Sequence, residues 1–95
     1  QSIMELGDLR IDLEKYQVFK GERILDMPRK EFELLQLLAS KPGKVFSRDT
    51  IMDRVWGTEV VVGGRTIDVH IRKIREKIGE DRIKTIKGVG YKFEE

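Results

Sequence analysis

Ninety-five residues without a cysteine make one small domain and exclude a disulfide framework and a thiolate metal site or nucleophile. The absence of cysteine fits a reducing cytosol without proving it. No apolar run approaches the roughly 20 residues that a membrane-spanning helix needs, and no signal peptide is visible. The net charge is only +2, but residues 65–95 carry nine basic and six acidic side chains, whereas residues 1–26 carry four and six. A basic end on a nearly neutral domain is typical of nucleic-acid-binding proteins, although a solvated helix surface explains the same charges.

Residues 3–25 have the pattern of short antiparallel strands. Leu9, Ile11 and Leu13 alternate with charged residues, which is the period of a strand with one buried face. Glycine reaches positive φ at little cost, so a turn is expected at Gly21. The prediction is a small antiparallel meander that is acidic outside and supports the helices after it.

Two helices are predicted next. Pro28 is tolerated in a first helical turn and opens the first helix, and Lys41-Pro42-Gly43 ends it. Ser47 is a candidate N-cap of a second helix that runs to about Trp56, with Arg48 in its first turn. An arginine beside free helix amides suits a phosphate oxygen, although a surface arginine is often merely solvated. The first helix is expected to be buried on two sides through Phe32, Leu34, Leu35, Leu37, Leu38 and Ala39.

A glycine-bounded loop with three consecutive valines follows the second helix. Two interpretations stay open, since the valines either pack against the core or form a surface that contacts a partner. The loop consists of Gly57, Thr58, Glu59, Val60, Val61, Val62, Gly63 and Gly64.

A third helix over residues 65–78 places its isoleucines on one narrow stripe. Ile67, Ile71, Ile74 and Ile78 recur at steps of three and four residues, and the glycine directly after them is expected to end the helix. This stripe is expected to face the core. The opposite face is mostly basic and includes a valine that has no core to fill; its residues are Arg65, Val69, Arg72, Lys73 and Glu76.

A basic hairpin is predicted around Gly88-Val89-Gly90. Two helices followed by a hairpin describe a helix-turn-helix with a wing, whose last helix enters the major groove of DNA. In this interpretation Val69 meets a thymine methyl group, and Lys87 reaches a phosphate or the minor groove. Trp56 and Tyr91 either donate to phosphates, as Thr85 can, or belong partly to the core.

Enzyme interpretations find little support in the sequence. His70 is the only histidine, so a metal site depends on carboxylates alone. Asp68 and His70 point to different sides of their helix, and the glycines of the hairpin lack the strand–loop–helix context of a nucleotide site. The prediction is a domain that is not an enzyme and has no catalytic, metal-binding or cofactor-binding residues.

Five segments in order resemble the winged-helix effector domains of the OmpR/PhoB family of bacterial two-component response regulators. The loop before residue 65 is most similar to the phosphate-regulon branch. The segments are Lys30-Glu31-Phe32-Glu33-Leu34-Leu35, Gly43-Lys44-Val45-Phe46-Ser47-Arg48, Val55-Trp56-Gly57, residues 65–75 and residues 85–93.

The resemblance implies an α+β fold over residues 1–95, a winged helix-turn-helix with an N-terminal four-stranded antiparallel sheet, three helices and a C-terminal hairpin wing. It implies sequence-specific binding to double-stranded DNA for transcription regulation, with two copies head to tail on direct repeats. A receiver domain that is phosphorylated is expected upstream and is absent from this chain. RNA polymerase is an expected partner of the loop at residues 57–64. We expect a monomer off DNA, in the bacterial cytoplasm.

The resemblance also assigns positions to DNA. Lys87 stands where many members have arginine, and lysine lacks the planar fork that reads a groove. Pro28 stands where threonine is common, which puts the start of the first helix in question. The DNA-facing or phosphate-facing positions are Arg65, Thr66, Val69, His70, Arg72, Lys73 and Arg75 on the third helix, and Arg48, Trp56, Thr85 and Tyr91 elsewhere.

A second hypothesis is a winged-helix module that binds proteins and has lost DNA binding. Its partner would lie on the loop at residues 60–64 or on the meander. Arg65, Arg72 and Lys73 together favour DNA, because a protein-binding helix face more often carries aromatic residues or leucine.

Overall fold

The structure of the chain, a computed structural model, describes residues 2–57 and 65–95. The N-terminal part is an antiparallel sheet of four sequential strands, which confirms the predicted meander. The strands are β1 (Ile3–Leu6), β2 (Leu9–Asp12), β3 (Gln17–Lys20) and β4 (Arg23–Leu25).

The register of this sheet separates its apolar side chains into a buried row and an exposed row. Ile11 pairs with Val18, and both are fully buried. In the neighbouring row Phe19 pairs with Ile24, which is 62% exposed. The guanidinium of Arg10 lies 4.5 Å from the centre of the Phe19 ring. Strand alternation therefore leaves part of the apolar run in β3 and β4 on the outer face.

Two long helices, α1 and α3, supply nearly half of the buried hydrophobic residues. Helix α1 spans Arg29–Ala39 and so begins one residue after the predicted start, because Pro28 is its N-cap. Helix α3 spans Thr66–Ile78 and ends at Gly79, whose φ of 111° is unfavourable for other residues. The predicted apolar positions of both helices are buried.

The second helix differs from its prediction in its second half. Helix α2 spans only Arg48–Ile51, and the chain continues as a π-helical turn at Met52–Trp56. The predicted cap is confirmed, because the Ser47 hydroxyl accepts from the backbone N–H of Thr50 at 3.1 Å. In the π-helical turn the Gly57 N–H donates to the carbonyl of Met52, five residues earlier, at 3.0 Å. Residue periodicity alone does not distinguish this wider turn from an α-helix.

The predicted hairpin is part of a second sheet with strand order β5-β7-β6. Its strands are β5 (Val45–Ser47), β6 (Ile83–Ile86) and β7 (Gly90–Phe93). Gly90 lies in β7 rather than in the turn. A Cβ atom at Gly90 would stand 1.9 Å from the carbonyl oxygen of Phe46, so the pairing of β5 with β7 requires glycine there.

An ion pair joins the two long helices inside the fold. Glu31 is 4% exposed, and its Oε1 accepts from Lys77 Nζ at 2.6 Å. Glu31 lies in the first turn of α1 and Lys77 in the last turn of α3, where the helix dipoles favour these charges. Among the described residues no helix is long and apolar enough to cross a membrane.

Candidate nucleic-acid interface

The outer face of α3 carries exposed basic side chains around an exposed valine. Ile67, Ile71, Ile74 and Ile78 are buried, whereas Val69 on the other side is 38% exposed. Arg72 and Lys73 are exposed on this outer face and make no hydrogen bond or ion pair within residues 2–57 and 65–95. The sequence-based separation of core stripe and outer face is therefore confirmed. Arg65, the residue before α3, is also exposed.

His70 is half-buried between its own helix and the π-helical turn. Its Nδ1 lies 2.8 Å from the carbonyl oxygen of Thr66. A carbonyl only accepts, so Nδ1 donates this hydrogen bond and Nε2 is left for another partner. The ring packs edge-on against Trp56, with centroids 5.1 Å apart. Trp56 itself packs partly against the core, in agreement with the core alternative for this residue.

Asp68 links three elements at the start of α3. Arg48 Nη1 donates to Asp68 Oδ1 at 2.7 Å, and Arg48 Nη2 donates to Oδ2 at 3.3 Å. The hydroxyl of Tyr91 in β7 also donates to Oδ1. Tyr91 is buried, so its side chain belongs to the core. No local sequence pattern indicates a role for Asp68, because its partners are 20 and 23 residues away along the chain.

This network lowers the pKa of Asp68 and raises the pKa values of Arg48 and Tyr91. The hydrogen bond from Arg48, and after it the one from Tyr91, hold the pKa of Asp68 below its usual value. The same carboxylate raises the pKa of Arg48. Burial, and then the hydrogen bond to Asp68, raise the pKa of the Tyr91 phenol. At neutral pH the network therefore consists of a carboxylate, a guanidinium and a neutral phenol.

A second set of contacts ties the middle of α3 to the hairpin. Arg75 donates to the carbonyl of Ile83 through Nε at 3.1 Å and Nη2 at 2.8 Å. Arg75 Nη2 also donates to the Thr85 hydroxyl at 2.8 Å. Its guanidinium lies 5.9 Å from the centre of the Tyr91 ring. Arg75 and Thr85 are thus brought together and engage each other, so both help to set the position of the hairpin relative to α3.

The hairpin presents one lysine at its tip. Lys87 is exposed and makes no hydrogen bond or ion pair to any described residue. Gly88 next to it has a φ of 77°, which closes the turn between β6 and β7. Val89 is 49% exposed. The tip therefore exposes one positively charged side chain and one small apolar side chain.

Of the predicted partner loop, the structure describes Gly57. Gly57 ends the π-helical turn with a φ of 88°. The rest of that prediction falls on Thr58, Glu59, Val60, Val61, Val62, Gly63 and Gly64, which lie outside the described residues.

Comparison with known proteins agrees with this architecture. Residues 21–93 match the family model described as "Transcriptional regulatory protein, C terminal". The chain is 39% identical over 97 residues to the phosphate regulon transcriptional regulatory protein PhoB of Klebsiella pneumoniae, an alignment that covers 98% of this chain and 42% of PhoB. The chain thus spans less than half the length of that curated relative.

Solved structures show the same fold. The response regulator DrrB of Thermotoga maritima, an OmpR/PhoB homolog, aligns with all of this chain and 45% of its own at a TM-score of 0.90 and 38% identity. The RstA DNA-binding domain of Klebsiella pneumoniae, solved in complex with the RstA box, aligns at a TM-score of 0.86 and 30% identity, over 99% of this chain and 98% of RstA.

The fold and the sequence similarity together define a winged-helix domain of a transcription regulator. The chain belongs to the OmpR/PhoB family of response-regulator effector domains.

Proposed function

We propose that this chain binds double-stranded DNA at specific sequences and thereby regulates transcription. The observation that carries the proposal is the outer face of α3, where Val69, Arg72 and Lys73 are exposed and have no role in the core. The width of the major groove accepts one helix, and such a face supplies an apolar contact and hydrogen-bond donors to base edges. The structure of RstA with the RstA box supports the same use of this fold.

In the proposed complex α3 lies in the major groove and the hairpin approaches the minor groove. Arg65, Thr66, Val69, Arg72 and Lys73 are the proposed contacts of α3. His70 is a further proposed contact of α3 through Nε2, because its Nδ1 already contacts the carbonyl oxygen of Thr66. Phosphate contacts are also proposed for Arg48, Trp56, Arg75, Thr85, Lys87 and Tyr91.

We further propose that the chain is the output domain of a longer, phosphorylation-controlled regulator in the bacterial cytoplasm. Support comes from the length of the relatives, since the chain covers 42% of PhoB and 45% of DrrB. The remaining length would hold the receiver domain. Two copies are proposed to bind direct repeats head to tail, as monomers that meet on DNA. The loop at residues 57–64 is the proposed contact for RNA polymerase.

Selection from a random pool of DNA duplexes tests the central proposal. The expected result is one enriched sequence, with two copies of it in direct repeat. Binding to that duplex should weaken steeply as salt rises, because each phosphate contact releases about 0.9 counterions. Absence of any enriched sequence, with binding that does not depend on salt, would instead favour the module that binds proteins. Sedimentation of the free chain tests whether it is a monomer in the absence of DNA. A dimer mass at all protein concentrations contradicts that proposal.

A further inference from the structure

Glu31 is the one charged residue that is buried among the residues that the structure describes. Its side chain is 5% exposed and its Oε1 accepts from Lys77 Nζ at 2.6 Å, whereas the Lys77 side chain is 29% exposed. Taking two charges out of water costs free energy that their attraction often does not recover, so an apolar pair of similar size is often as stable. Stability alone therefore does not explain an ion pair at this point.

This ion pair is the one side-chain hydrogen bond between α1 and α3 in the described part of the chain. The buried stripe of α3 consists of four isoleucines at steps of four, three and four residues. A shift of α3 by one helical turn would bring an isoleucine close to the place that another isoleucine left. Such a stripe has little preference for one placement of the helix, and a buried polar contact can supply that preference.

The hydrogen bonds of α3 to other elements lie on both flanks of the isoleucine stripe. At about 100° per residue, Lys77 lies about 90° from the centre of the stripe on one side, and Asp68 and Arg75 lie about 70–90° from it on the other. Asp68 is bound by Arg48, and Arg75 binds the carbonyl of Ile83 in the hairpin. Among the described residues only Lys77 makes such a bond on its own flank. Without it, hydrogen bonds hold α3 against rotation about its axis on one side only.

Rotation of α3 would act on the proposed reading of base edges. Side chains reach about 6 Å from a helix axis, so a rotation of about 10° moves their ends by about 1 Å. A hydrogen bond tolerates a range of only about 0.5 Å in length. Attraction to phosphates is much less sensitive to such a shift, because it depends on the number of charges neutralised. A small rotation would therefore weaken binding to the specific sequence and change non-specific binding little.

We propose that Glu31 is a positioning residue that acts through Lys77, sets the orientation of α3 about its axis and thereby determines how well the chain discriminates between DNA sequences. The inference rests on the proposed DNA-binding function and assigns its specificity in part to a buried residue outside the interface. The ion pair supplies a fixed orientation, which an apolar pair of the same size does not.

Glu31→Met combined with Lys77→Met tests this role. The double variant keeps the net charge and two unbranched side chains, and methionine fills space without fixing one geometry. The probes are the duplex that the unmodified chain selects from a random pool and a scrambled duplex of equal length. We expect the ratio of the two affinities to fall about tenfold and the affinity for the scrambled duplex to stay within about twofold. The melting temperature should rise or fall by no more than about 5 °C.

Arg29→Met combined with Glu33→Met is the matched control. This ion pair joins Arg29 Nε to Glu33 Oε2 at 2.9 Å within α1 and does not connect α1 to α3. The variant undergoes the same change of charge, and both affinities should stay within about twofold. Residual dipolar couplings of the backbone amides in the free protein report the orientation of α3 relative to α1. They should differ from those of the unmodified chain in the Glu31 and Lys77 variant and not in the control.

Four results overturn the inference. They are an unchanged ratio of affinities, an equal loss of affinity for both duplexes, an unchanged orientation of α3, and a variant that does not fold, since the pair would then serve stability. If the unmodified chain enriches no sequence, the proposed function fails and the claim about discrimination fails with it, while the couplings still test whether the pair orients α3. If it enriches a sequence that the Glu31 and Lys77 variant distinguishes equally well, the inference alone fails.

Discussion

Replacement of Val69 by glutamate tests what the outer face of α3 binds and leaves the core face of the helix unchanged. Val69 is 38% exposed and lies off the stripe of buried isoleucines, so the fold should lose less than about 0.5 kcal/mol. Glutamate is also a better helix former than valine. Any large effect of this substitution must therefore come from what α3 binds.

The expected cost to specific binding has two parts. Loss of a matched contact in the major groove costs about 1–3 kcal/mol. A carboxylate left without a partner at the interface adds about 1–3 kcal/mol. The sum of about 2–6 kcal/mol is a loss of at least about 30-fold, and it approaches the gap of about 4–10 kcal/mol between specific and non-specific DNA binding.

Fluorescence anisotropy with the selected duplex measures this loss, and circular dichroism confirms that the variant is folded. The matched control is Ile24→Glu, because Ile24 is 62% exposed on the outer face of the N-terminal sheet and receives the same change of charge. Its affinity should fall by less than about threefold, through net charge alone. If Val69→Glu binds as the unmodified chain does, or if both variants lose equally, the outer face of α3 is not the recognition surface.

Three further substitutions test the wing and the network behind it. Lys87→Ala should weaken binding a few-fold and reduce the salt slope by about 1, because one phosphate contact is lost; an unchanged slope removes the wing tip from the interface. Gly90→Ala should destabilise the fold by about 3 kcal/mol in chemical denaturation, since its Cβ would stand 1.9 Å from the Phe46 carbonyl oxygen; a shift below about 1 kcal/mol contradicts the close approach. The folded-state pKa of Asp68 lies below its ordinary value, so its contribution to stability is present above about pH 4 and is lost as pH falls through the folded-state pKa. The difference in stability between the unmodified chain and Asp68→Asn should therefore shrink from about pH 5 to pH 2, and a constant difference contradicts the ion pair.

Much of the fold follows from local patterns in the sequence. The isoleucine stripe of α3, the apolar faces of α1, the Ser47 cap and the glycine-tipped hairpin each depend on the geometry of one element, and the structure confirms all of them. The OmpR/PhoB resemblance rested on the order of such segments, and the comparisons confirm it. The residue-by-residue assignment of DNA contacts stays a prediction.

The sequence by itself determined which side chains of each helix face the core, because helical periodicity is a property of a single segment. Only the tertiary structure decided which side chains of different elements meet. It paired Asp68 with Arg48 and Tyr91, joined Arg75 to Thr85, and required glycine at position 90. These contacts depend on how helices and strands pack against each other. The partners are far apart along the chain, so no local sequence pattern indicates that they meet. For that reason the sequence was enough to predict a basic helix face, whereas the contacts that hold α2, α3 and the hairpin together were found only in the structure.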